Sequence, residues 1–269
     1  MSYKLICLDV DGTLLNDEKR VPDPVKESLK KAHDMGIRIA LITGRMPAAA
    51  ELVEKELSIP CIKACNAGTY ILMGEECIHS RCLPYEAARE IEEGFLADWN
   101  IPLWIFQGRR WYVTGKDAYV ERESRIIHYQ PEVRDLKTLE QEWKREGYGP
   151  NKLLIGADPE TVCQVQAKMK AHGPSGVDMA RSSEIYLEIF PEGANKGEAL
   201  EAICERLAVS PEESIAFGDQ ELDIPMLLKA GTAIAMGNAI EEVKNMADFV
   251  TGSNNEGGIA LGLNRYLSV

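Results

Sequence analysis

Two aspartates, Asp9 and Asp11, stand two residues apart at the end of the apolar run KLICLDV (4–10), and Gly12 and Thr13 follow. If the chain stays extended there, side-chain alternation puts both carboxylates on one side of the backbone. Gly12 permits a sharp exit that brings backbone N–H groups toward a ligand. Two carboxylates this close weaken a fold unless a ligand uses them, and magnesium with a transferable phosphoryl group would do so. In an open parallel sheet, ligands bind beyond the carboxyl ends of the strands, which is where this string falls. Alone, the string reads equally as a solvated turn after a strand.

Three further features change that balance. LITGR places Thr43 and Gly44 at the end of the next apolar run. Ala194-Asn195-Lys196-Gly197 places a lysine where a helix begins. FGDQELD places Asp219 and Asp223 after a later strand, one helical turn apart. Each has a plain structural reading. Thr43 could cap a helix, Lys196 could lie on the surface, and Asp223 could be a first-turn acid favoured by the helix dipole. Their order, each after a successive strand, is hard to produce by chance.

DVDGT, LITGR, NKG and GDQELD resemble the four motifs of haloacid dehalogenase phosphatases, in the order that superfamily uses. About a hundred residues between the second and third motifs, together with CNAGTY (65–70) and NEGGIALGL, resemble the Cof-type subgroup with its large cap. The resemblance implies a phosphatase in which Asp9 attacks phosphorus and forms an aspartyl-phosphate. Asp11 would first give a proton to the leaving oxygen and then take one from water. Magnesium would lie between Asp9, Asp219, the backbone carbonyl of Asp11 and the phosphate. Thr43 would hydrogen-bond a phosphoryl oxygen, and Lys196 would neutralise nucleophile and phosphate. Asp223 would orient metal-bound water or Lys196. Gly12 and Gly44 would offer backbone N–H groups, while Arg45 and Asn66 would contact substrate. One position departs from the pattern. The subgroup commonly has asparagine three residues after the first acid of its fourth motif, and Leu222 stands there. The polar contact is then missing or supplied by Gln220 or Asn66.

The elements that must hold these residues are legible in outline. KLICLDV, IRIALIT (37–43), SIAFGD (214–219) and TAIAM (232–236) read as parallel strands buried on both faces. Asp23 and Pro24 read as the cap and first position of a helix with Val25, Leu29 and Ala32 on one face. Pro47 opens another with Leu52, Val53 and Leu57 inside. Lys196–Leu207 reads as a third, and the tail from Gly257 closes as a fourth. The middle differs: aromatics cluster from Trp99 to Tyr112, and FQGRRW reads as a hairpin turn. The expected fold is α/β, a doubly wound parallel-sheet core over residues 1–82 and 191–269, with an α+β cap at 83–190. The active site is expected at the cleft between them.

Composition narrows the partners. The 43 acidic and 30 basic side chains leave a formal charge of −13, a field that opposes nucleic acid and anionic membranes. The N-terminus lacks a basic segment followed by a long apolar stretch, so no signal peptide is read. Seven cysteines, none in a CxxC pair, suit a reducing cytoplasm. The expected partner is a small phosphorylated metabolite, sugar phosphates first, bound by a monomer or homodimer. Two other functions stay open. A phosphomutase of the same superfamily would return the phosphoryl group to the sugar. A phospho-acceptor or ligand-sensing module would keep a long-lived aspartyl-phosphate.

Overall fold

A computed structural model describes residues 3–267 of the chain. Its first strand, β1 (Leu5–Leu8), is wholly buried. Helix α1 (Asp23–Asp34) buries Val25, Leu29 and Ala32. Strand β2 (Arg38–Ile42), helix α2 (Pro47–Leu57) and the strands β3 (Cys61–Cys65), β4 (Tyr70–Met73) and β5 (Glu76–Ser80) follow. Next come α3 (Ala87–Ile91), the hairpin β6 (Leu103–Gln107) and β7 (Arg110–Val113), α4 (Ala118–Ile127), β8 (Glu132–Val133) and α5 (Leu136–Glu146). Strand β9 (Lys152–Gly156), helix α6 (Pro159–His172) and strands β10 (Val177–Ser183) and β11 (Tyr186–Pro191) complete the middle. The last third holds α7 (Lys196–Leu207), β12 (Ser214–Gly218), α8 (Ile224–Lys229), β13 (Thr232–Ala235), α9 (Glu241–Met246), β14 (Phe249–Val250) and α10 (Gly258–Leu267).

The chain divides into two units. One runs to His79 and resumes at Asn195; the other is Ser80–Ala194. The sequence reading drew these boundaries at 82/83 and 190/191.

The first unit is built on one sheet of order β14-β13-β12-β1-β2-β3-β4-β5. The strands from β14 to β3 run parallel, and β4 pairs antiparallel with β3. Continuous apolar runs produce this because helices cover both faces. Each fully buried leucine or isoleucine of β1 stabilises the sheet by roughly 1.5–3 kcal/mol relative to an exposed one. Strand order reverses at β1, which lies between β2 and β12. Leu8 pairs with Leu41 on one side and Phe217 on the other. The residues that follow these three strands therefore emerge side by side at the switch point of a doubly wound sheet, where such sheets bind ligands.

The second unit is α+β, with sheet order β10-β11-β9-β6-β7-β8. One face, through Leu103, Ile105, Leu153 and Leu187, packs on Leu139 and Trp143 of α5 and on Val162 and Val165 of α6. Trp104 and Trp111 are buried with ring centroids 5.1 Å apart.

Two local readings need correction. Leu52 does not point inward. It is 42% exposed, and α2 buries Ala49, Ala50, Val53 and Leu57 instead. The helical stripe there is carried by alanines, which a reading weighted toward large side chains passes over. Asp23 is not the cap of α1. It is already helical, Pro22 precedes it, and no side chain caps the first turn. Its carboxylate lies 3.5 Å from Lys26, an exposed i,i+3 pair.

Candidate active site

Lys196 anchors the site. The Asn195 side chain accepts hydrogen bonds from the backbone N–H groups of Gly197 and Glu198 and so starts α7 at the lysine. Gly197 allows the close approach to α8, since a Cβ there would lie 2.5 Å from the Pro225 carbonyl oxygen. Lys196 is 6% exposed, and its Nζ donates to Asp9 Oδ1 at 2.6 Å and to Asp223 Oδ1 at 2.5 Å. Burial alone would lower the lysine pKa, but the charges of Asp223 and Asp9 outweigh it and raise it. The ammonium is therefore held charged between two carboxylates.

Asp9 follows β1, and its backbone N–H bonds the Phe217 carbonyl of β12. Burial pushes its carboxyl up, Lys196 pulls it down, and Asp223 and Asp219 push it up again, leaving it well above the usual carboxylate range. Asp219 is raised by burial and by Asp223, against a hydrogen bond from Thr13. Oxygens of Asp9, Asp219 and Asp223 lie within 4.8 Å of one another, all buried. One lysine faces three acids, so the cluster carries surplus negative charge. A divalent cation fits that surplus and the all-oxygen donor set. Asp223 has little left to offer it. Its Oδ1 takes Lys196, and its Oδ2 accepts from the backbone N–H groups of Asp219 and Gln220. Asp9 and Asp219, which keep more free lone pairs, are the carboxylates that could hold a metal.

Gly12 makes this geometry possible. Its φ is +87°, and a Cβ there would lie 2.5 Å from Asp219 Oδ2. Any side chain would both strain the turn and fill the space beside that carboxylate. Thr13 next to it donates its hydroxyl to Asp219 Oδ1 at 2.8 Å.

Asp11 behaves differently from Asp9. The strand ends at Leu8, the chain turns at Val10, and Asp11 makes an isolated bridge to Leu15. The alternation expected from an extended chain is broken, and the Asp11 carboxylate is not one of the three clustered acids. It is exposed and gripped by Arg45, whose Nε and Nη2 donate at 2.7 and 2.8 Å, and by Lys19 at 3.0 Å. Burial would raise this carboxyl, but Arg45 and then Lys19 hold it down at about 2.

Thr43 is buried at the end of β2, and its backbone N–H bonds the Ala64 carbonyl. Gly44 and Arg45 form the turn that follows, where the Arg45 N–H donates to Thr43 Oγ1. The turn after β3 packs on it: Asn66 N bonds the Arg45 carbonyl and Ala67 N the Thr43 carbonyl. Asn66 and Ala67 both have left-handed backbones, with φ of 53° and 62°. Asn66 is fully buried, and neither Oδ1 nor Nδ2 of its amide has a hydrogen-bond partner. Strain of ~1–3 kcal/mol per such residue and an unsatisfied buried amide are features of functional sites.

Gln220 donates to Asp219 Oδ2 at 3.1 Å, and Leu222 is 38% exposed beside it. The sequence reading gave no role to Thr13, Lys19, Asn238 or Asn254. Thr13 was legible, as a hydroxyl directly after the turn glycine. The two asparagines follow later strands, and only their loop position marks them.

The family model for haloacid dehalogenase-like hydrolases matches residues 6–263. The chain is 28% identical to the 5-amino-6-(5-phospho-D-ribitylamino)uracil phosphatase YwtE of Bacillus subtilis (strain 168), over 98% of each chain. It is 25% identical to the HMP-PP phosphatase of Cronobacter sakazakii, over 89% of this chain and 86% of that one. Among solved structures, it matches a haloacid dehalogenase-like hydrolase from Bacteroides thetaiotaomicron with a TM-score of 0.87, at 28% identity over 98% and 99% of the two chains. Among the described residues, no helix is long and apolar enough to cross a membrane.

Proposed function

Because the chain belongs to the haloacid dehalogenase-like hydrolase family and is one of its phosphoric monoester hydrolases, we propose that it hydrolyses small phosphorylated metabolites, sugar phosphates first, through an aspartyl-phosphate on Asp9. The observation that carries this reading is the buried Lys196 ammonium 2.6 Å from Asp9 Oδ1. It sets one positive charge against the proposed nucleophile in a site otherwise crowded with negative charge.

In the first step an Asp9 oxygen bonds phosphorus while the bond from phosphorus to the leaving oxygen breaks. Asp11 gives that oxygen a proton, and the alcohol departs. In the second step water loses a proton to Asp11 and attacks phosphorus, the bond to Asp9 breaks, and phosphate leaves. Thr43 donates its hydroxyl to a phosphoryl oxygen, with backbone N–H groups of Gly12 and Gly44 beside it. Lys196 balances charge on both nucleophile and phosphate, and Asp223 holds Lys196 in place. Arg45 and the unsatisfied amide of Asn66 are the substrate contacts. Magnesium would be held by Asp9, Asp219 and the backbone carbonyl of Asp11, and would supply positive charge against the phosphoryl group. The phospho-ribityl compound named for the Bacillus relative is a phosphorylated polyol, which supports the substrate class. The seven cysteines, Cys7, Cys61, Cys65 and Cys204 among them buried, support a cytoplasmic location.

Phosphate release from a panel of sugar phosphates, with and without magnesium and beside Asp9→Asn, tests the reading. Magnesium-dependent release that disappears in the variant is expected. Release that survives in Asp9→Asn overturns the mechanism, and transfer of the phosphoryl group back to a sugar makes the enzyme a mutase.

A further inference from the structure

The segment that carries Asp11 is held from outside by two asparagines that belong to the far end of the chain. Within the segment, the N–H groups of Leu14 and Leu15 both bond the Val10 carbonyl, which closes a tight loop. Two of its carbonyls are taken by side chains from elsewhere. Asn238 Nδ2 donates to the Gly12 oxygen at 2.8 Å, and Asn254 Nδ2 donates to the Leu15 oxygen at 3.0 Å and to Asp17 Oδ1 at 3.2 Å. The two are also joined, because the Asn254 backbone N–H donates to Asn238 Oδ1 at 2.9 Å. Asn254 is in turn fixed by a short turn that Ser253 and Glu256 cap reciprocally. Asn238 thus bridges one donor and one acceptor, and only an amide offers both faces in that geometry.

We propose that Asn238 and Asn254 are positioning residues: they clamp the Gly12 and Leu15 carbonyls and thereby aim the Asp11 carboxyl at the leaving oxygen. This rests on the proposed reaction, in which Asp11 supplies the proton as the bond from phosphorus to oxygen breaks. Neither asparagine side chain hydrogen-bonds Asp9, Asp219, Asp223 or Lys196, so the clamp acts on the loop of the proton donor rather than on the nucleophile.

The chemistry gives a readout that general loosening of the fold does not move. An alkyl leaving group departs as an unstable alkoxide unless it is protonated, whereas 4-nitrophenolate leaves without a proton. The quantity to compare is kcat/KM, which reports steps up to release of the leaving group. The proteins are the wild type, Asn238→Asp, Asn254→Ala and, as a control, Asn255→Ala. Asn238→Asp keeps the shape but turns a carboxylate oxygen toward the Gly12 carbonyl. Among the described residues, the Asn255 side chain bonds Asp17 at the exposed rim. General acids contribute roughly 10²–10⁴-fold, so misaiming should cost an alkyl phosphate such as glucose 6-phosphate at least about tenfold in kcat/KM, with 4-nitrophenyl phosphate within about threefold. Asn255→Ala should match the wild type on both.

Equal losses on the two substrates, or no loss on either, overturn the clamp. If Asn254→Ala does not fold, Asn238→Asp decides the matter, since Asn238 is exposed and the substitution is isosteric. Wild-type turnover that persists in Asp9→Asn would sink the reaction itself and the clamp with it. Unselective losses alongside a dead Asp9→Asn sink only the clamp.

Discussion

Arg45 holds the Asp11 carboxylate in a two-point fork, Nε on Oδ2 and Nη2 on Oδ1. That grip keeps Asp11 ionised, whereas its proposed first task is to donate a proton. The phosphate of an incoming substrate would compete for the same guanidinium, because arginine binds phosphate in the same forked manner. In the proposed reaction, binding and arming of the acid would therefore be one event.

The fork sets a pH signature in the metal-free, ligand-free protein. The folded Asp11 pKa is depressed to about 2 by Arg45 and Lys19, against ~3.9 for an unfolded aspartate. A depressed carboxyl contributes stability that is present above the unfolded value and lost as pH falls toward the folded one. The urea midpoint of the wild type should exceed that of Arg45→Ala by a constant margin above about pH 5, and the margin should shrink as pH drops below about 4. A margin that does not change with pH would show that Arg45 stabilises through packing alone.

Lys196 should be the most costly side chain of the site to remove. Lys196→Met leaves Asp9 and Asp223 buried without their shared cation. Breaking a buried ion pair by removing one partner costs about 3–5 kcal/mol. Urea unfolding at pH 7 should read that loss, and phosphate release should vanish. A fully stable, inactive Lys196→Met would mean that the acids reorganise or take up protons.

Magnesium should stabilise the fold through the same crowding. At about 100 times its dissociation constant, a ligand adds ~2.7 kcal/mol, which in a chain of this size raises Tm by several degrees, at roughly 2–4 °C per kcal/mol. Asp219→Asn should abolish the shift seen by scanning fluorimetry. Asp11→Asn should keep it, since Asp11 is proposed to use its backbone carbonyl. A shift lost equally in both variants would place the Asp11 carboxylate on the metal.

Leu222→Asn tests the departure from the family pattern. Leu222 is exposed, so the swap should leave stability within about 0.5 kcal/mol. A restored hydrogen bond to a charged phosphate is worth ~1.5–3 kcal/mol, so KM for the best substrate should fall by about tenfold or more. An unchanged KM would indicate that Gln220 or Asn66 already fills that role.

Much of the scaffold was legible because it depends on local pattern. The apolar runs around Leu5–Leu8 and Ser214–Gly218 became central strands, and the helix read at Lys196–Leu207 has those bounds in the structure. Asp9, Lys196, Asp219 and Asp223 come together because each follows a neighbouring strand or opens a helix beside it. What stayed hidden depends on partners remote in sequence. The outward turn of Asp11 begins where the strand ends, and its carboxylate is held by an arginine from the turn after β2. The grip of Asn238 and Asn254 on the loop spans more than two hundred residues, and no periodicity encodes it. Leu52 failed for the opposite reason, since small alanines carried the buried stripe.

The pairing of β1 with β12 has a consequence for how the enzyme is made. Leu5–Leu8 leaves the ribosome well before the strand beside it, β12, and before Lys196 and Asp219. At ~5–20 residues per second, roughly 10–40 s of synthesis separate the nucleophile from its lysine. During that interval Asp9 has neither its counter-ion nor the neighbouring acids. Until those residues are made, the proposed nucleophile lacks its partners and β1 waits with one edge open.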